Sequence, residues 1–91
     1  MENKKMDENE IYKTIKKILS DDLKLDIDIE KEIKKGTMLI GGGYLDSLDL
    51  MAYITHIEET YKIKVSDEAI KEHQLGIVQN MINYVISKSG K

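Results

Sequence analysis

Between Gly41 and Leu50 the chain reads G-G-G-Y-L-D-S-L-D-L, and Ser47 is the residue there whose chemistry invites use. A serine hydroxyl at a helix start, approached through a glycine run that permits sharp changes of direction, is presented where another protein's active site can grip it. Converted to a phosphodiester, it would sit beside free backbone N–H groups and the positive end of the helix dipole, an environment worth about 0.3 to 1 kcal/mol at an exposed site. Asp46 opposes that anion by like charge, so its functional role is better read as recognition by a basic partner. The plain alternative is that Ser47 is only the N-cap of the helix that follows.

Other constellations carry less. Asp26, Asp28 and Glu30 alternate as calcium ligands might, but Lys31 and Thr37 replace the glycine and the acid that an EF-hand loop needs, so a solvated loop is expected and no metal. His56 and Glu59 are one turn apart and His73 is distant, which is short of a zinc set. The glycine run lacks the G-K-[ST] ending of a nucleotide cradle. No nucleophile, base and acid set is visible around Ser47, and no catalytic residue is assigned.

The elements that must position Ser47 read as helices, because apolar residues recur at helical spacing and strand-like alternation is scarce. Ile11, Ile15, Ile18 and Leu19 predict a first helix over about Glu8 to Ser20, with Lys13, Lys16 and Lys17 turned to solvent. A long irregular connection runs from Asp21 to Tyr44. A second helix is predicted over Ser47 to Tyr61, with Ser47 as N-cap and Leu50, Ile54, Ile57 and Tyr61 as its core stripe. Ser66 heads S-D-E-A and predicts a short third helix to about Glu72. The last helix spans Ile77 to about Ser87, with Val78, Met81, Ile82 and Val85 on one side. The expectation is an all-α, four-helix bundle with a long loop between helices 1 and 2 and a short helix 3, its second and fourth helices dominating the core. Residues 1–91 form one domain on this reading, with flexible ends at 1–7 and 88–91.

Composition narrows the function classes. The chain has no Cys, so any sulfur chemistry would need a thiol from outside the polypeptide. All fourteen basic residues are lysine and the net charge is -3, which excludes arginine clamps and argues against nucleic acid. The first residues, MENKKMDENE, are charged and polar, and no window approaches the roughly 18 to 20 apolar residues of a membrane span, so a cytoplasmic protein is expected; a monomer is expected as well. Between Tyr44 and Tyr61 stand Asp46, Asp49, Glu58 and Glu59 without a lysine. Such a helix steers basic partners. Leu48, Met51 and Ala52 lie off its core stripe and could form the apolar centre of a docking surface.

From about Tyr44 to Ile86 the chain resembles the acyl carrier and peptidyl carrier protein family, whose attachment motif is D-S-L. The resemblance implies a covalent 4'-phosphopantetheine arm, taken from coenzyme A, on Ser47. Asp46 and Leu48 match the flanking positions read by the phosphopantetheinyl transferase (holo-synthase), while Asp49, Glu58 and Glu59 fall at acidic positions of the family's recognition helix. Y-K-I-K-V-S-D-E-A-I resembles the family's approach to its third helix. Tyr44 stands where the family commonly has glycine, and Ala52 where fatty-acid carriers have an acid.

The implied function is that of a stand-alone carrier, not an enzyme. It would hold acyl intermediates as thioesters between loading, elongating and transferring enzymes of fatty-acid, polyketide or related biosynthesis, each with a basic docking patch. An amino-acyl or peptidyl carrier of a specialised pathway and an unmodified helical interaction module stand as alternatives. A long apolar cargo is expected to insert between the second and third helices, since each methylene removed from water is worth about 0.8 kcal/mol.

Overall fold

A computed structural model describes residues 7–89, so the expected flexible ends lie outside the described residues except for Asp7, Lys88 and Ser89. Helix α1, Glu8–Lys17, starts on Asp7, whose carboxylate accepts from the Asn9 amide at 3.0 Å. Acids in its first turn and lysines in its last complement the helix dipole. Ile11 and Ile15 are fully buried, and a π-helical turn, Ile18–Asp22, continues the rod and buries Ile18 and Leu19 as well. Lys13 and Lys17 are exposed as expected; Lys16 is half-buried, its ammonium paired with Glu30 at 2.9 Å.

The long connection is less irregular than its sequence suggests. It contains a one-turn helix α2, Ile29–Glu32, capped by Asp28, and it plants Ile33, Leu39 and Leu45 in the core. Asp28 and Glu30 are thus a cap and an ion-pair partner. The same connection supplies the carbonyls that the start of α5, Val78–Ser89, needs. Val78 donates to the Thr37 carbonyl at 3.0 Å and Gln79 to that of Lys35 at 2.7 Å, satisfying amides that have no partner inside the helix. Leu39 donates to the Gly76 carbonyl at 2.7 Å beside an isolated antiparallel bridge between Met38 and Ile77.

Helix α3, Ser47–Tyr61, ends at Lys62, which takes the left-handed conformation at φ 57. Helix α4, Asp67–Glu72, is capped by the Ser66 hydroxyl, as predicted. The fold class is therefore all-α, without a named strand among the described residues.

The core differs from expectation in its balance. Helix α1 packs along α5, and these two contribute Ile11, Ile15, Val78, Met81, Ile82, Tyr84 and Val85, more than α3 does. The α3 stripe is rotated: Tyr53, Ile54 and Ile57 are buried, while Leu50 and Tyr61 are only half-buried. Tyr53 replaces Leu50 at the centre because its ring removes more apolar surface from water.

Candidate functional site

Ser47 opens α3, but it is not the cap. Asp46 takes that position, with φ -95 and ψ -171, and its Oδ1 accepts from the Asp49 amide at 2.9 Å. The extended backbone belongs to the residue before the helix, and a carboxylate there also complements the dipole, so Asp46 wins the role assigned to Ser47. Ser47 becomes the first helical residue, exposed, with its hydroxyl not committed to capping.

The glycines do more than loosen the approach. Gly43 has φ 91, a region closed to most side chains, and a Cβ on Gly42 would collide with the Met38 carbonyl oxygen. Two anchors then fix the segment into α3. Leu45 is buried and its amide donates to the Leu39 carbonyl at 3.0 Å. Tyr44 donates its hydroxyl to Glu32 Oε1 at 3.0 Å, and that bond, followed by burial, holds the phenol above its ordinary value.

Around Ser47 the surface is apolar where sequence reasoning expected it. Leu48 is 81% exposed and Met51 48%, with Ala52 half-buried beside them. Asp46 and Glu59 are exposed, and Asp49 is half-buried. Glu58 is different. Its Oε2 accepts from the Val65 amide at 2.8 Å, so this carboxylate ties the end of α3 to the approach to α4. His56 faces the π-helical turn, its Nδ1 3.8 Å from Asp22 Oδ2, and His73 tilts against the Tyr84 ring with centroids 5.3 Å apart.

Two adjoining clefts lead away from Ser47. One of about 290 Å³ is lined by Ser47, Met51 and Asp67, the other of about 270 Å³ by Met38, Ile40 and Ile77, and both share Leu50, Ile70 and Lys71. A larger hollow, about 720 Å³, lies between α1 and the α2 region; its walls include Lys13, Lys17 and Ile27 but not Ser47. Size does not make it the site, since a hydroxyl with an apolar channel beside it has more chemistry to offer than a lysine-rimmed hollow. The residues sequence reasoning missed are those on the far walls, Ile70, Lys71 and Met38. Ile70 and Lys71 reach the Ser47 cleft, and Met38 the adjoining one, across the fold with no local pattern to announce it.

Among curated proteins, the acyl carrier protein of Buchnera aphidicola subsp. Schizaphis graminum is 37% identical over 83 residues, spanning 91% of this chain and 99% of the relative. The chain belongs to the acyl carrier protein family. No protein-family model matches it. The family assignment supports a carrier role for the chain. Among the described residues no helix is long and apolar enough to cross a membrane.

Proposed function

We propose that Ser47 is the covalent attachment point of a 4'-phosphopantetheine arm taken from coenzyme A, and that the chain, as a single carrier domain, presents acyl thioesters to enzymes of fatty-acid or related biosynthesis in the cytoplasm. The observation that carries this reading is the position of Ser47: exposed, first in α3, free of the capping duty that Asp46 performs, and at the mouth of a cleft. The surrounding residues fit such a group. Its anionic end would meet a hydroxyl beside a lysine, and its chain would meet Leu50 and Ile70. When bound, the arm supplies a thiol, which a chain without cysteine cannot provide itself.

The cap and the residues of α3 do the addressing. Asp46, Asp49 and Glu59 offer negative charge to a basic transferase, and Leu48 and Met51 offer apolar contact next to the hydroxyl. Glu58 adds charge while holding the following turn. Incubation with coenzyme A and a phosphopantetheinyl transferase, read by intact mass, tests the reading. Wild type should gain the mass of one phosphopantetheine and Ser47→Ala none. Modification of Ser47→Ala, or of Ser20 or Ser66, overturns it.

A further inference from the structure

Lys71 stands at the junction of the two clefts, lining both the one that holds Ser47 and the apolar one beside it. Among the described residues it is the one cation lining either. The negative charge nearby is already high: Asp67 lines the Ser47 cleft one turn earlier on the same face of α4, and Asp46 and Asp49 flank Ser47 in the chain. A phosphodiester on Ser47 would add a further anion to this rim. Among the described residues Lys71 makes no ion pair. Lys71 is exposed and lines a largely apolar wall, a setting in which a lysine stem can cover hydrophobic surface while its ammonium stays at the edge.

We infer that Lys71 is a positioning residue for the arm, its ammonium holding the phosphodiester on Ser47 and so directing the arm across Leu50 and Ile70 toward the apolar cleft instead of into solvent. This rests on the reading of Ser47 as the attachment point. A flexible four-carbon stem carrying a point charge suits the task, because it reaches a phosphate without a fixed fork geometry. The contact is electrostatic and at the surface, so it weakens as salt shortens the screening length from about 10 Å at 0.1 M to about 3 Å at 1 M.

The experiment compares wild type, Lys71→Gln and Lys71→Arg after loading from coenzyme A carrying nitrogen-15 in its pantetheine amides. Intact mass first reports whether each variant carries the arm. The heteronuclear NOE of the two arm amides and the phosphorus-31 shift of the phosphodiester then report how it is held. Lys71→Gln should gain the same mass yet show a displaced phosphorus signal and arm amides as mobile as those of a free tether. Lys71→Arg should restore both, and raising salt should reproduce the Gln result in wild type. Identical phosphorus shifts and NOE values in loaded wild type and Lys71→Gln overturn the positioning role while leaving Ser47 as the site. No mass gain in any variant overturns the site itself, and the positioning role with it.

Discussion

At Asp46 and Ser47, neighbouring residues with similar capping propensities divide the work. Asp46→Ala should remove the α3 cap and cost about 0.5 to 2 kcal/mol in denaturant titrations. Ser47→Ala should leave the midpoint within a few tenths of a kcal/mol, since its hydroxyl caps nothing. Equal losses from the two variants would return the cap to Ser47. Tyr53 makes a second residue-scale case. Its side chain is fully buried and its hydroxyl has no partner among the described residues. Burial first, and then nearby Tyr61, push its phenol well above the ordinary value of 10.0. A raised folded value means full stability below about pH 10, where both states are neutral. Above it the unfolded chain ionises first, and stability should fall by up to about 1.4 kcal/mol per pH unit. Tyr53→Phe should flatten this alkaline slope and, by removing an unpaired buried hydroxyl, stabilise the fold by about 1 kcal/mol at neutral pH. Part of the slope should survive through Tyr61, whose phenol burial also raises. A lower midpoint for Tyr53→Phe at neutral pH would show that the hydroxyl is in fact bonded.

At the scale of elements, the acidic face of α3 separates into two kinds of carboxylate. Glu58 accepts from the Val65 amide, a bond to a charged acceptor, so Glu58→Lys should cost about 1.5 to 3 kcal/mol of stability and lower the melting temperature. Glu59 is exposed and free to meet a partner. Glu59→Lys should leave melting unchanged while slowing loading by a basic transferase at most about fivefold, an effect that fades as salt rises. Salt-independent loading would shift the docking role to Leu48 and Met51. The two roles could not be separated by reading the sequence, because the acids are adjacent and the distinction lies in an amide seven residues on. Helical spacing did disclose α1, α3 and α5, and the capping signal at Ser66 disclosed α4. It could not disclose α2, whose four residues are too few for a period, nor the use of the Thr37 and Lys35 carbonyls by α5. The rotation of the α3 stripe toward Tyr53 escaped for a related reason: periodicity finds a face but does not fix its angle against a neighbour until α1 and α5 are in place.

At the scale of the molecule, the fold decides where a cargo could shelter. Sequence reasoning placed a long apolar load between the second and third helices, above Leu50, Ile54 and Ile57; Leu50 does line an open cleft, but Ile54, Ile57 and the neighbouring Met81 are fully or almost fully buried in closed packing. The open apolar space lies beside them, in the cleft of about 270 Å³ whose walls include Met38, Ile40, Leu50, Ile70 and Ile77. Met38 is half exposed, and an unbranched thioether can swing over a guest with little strain. A cargo tethered at Ser47, as proposed, would enter this cleft past Leu50 and Ile70 without the core having to part. Burial of only two methylenes, at about 0.8 kcal/mol each, should raise the melting temperature by on the order of 10 °C for a domain of this size. Thermal unfolding of the arm-only and long-acyl forms, with methyl signals followed at Met38, Leu50 and Ile70, measures it. The acyl form should melt higher, those three signals should move, and Ile57 and Met81 should stay still. Movement at Ile57 and Met81 would mean that the core itself opens. If instead both forms melt together and no methyl moves, the cleft shelters nothing, and a short polar or amino-acyl load, which gains little from apolar walls, becomes the cargo this carrier is built for.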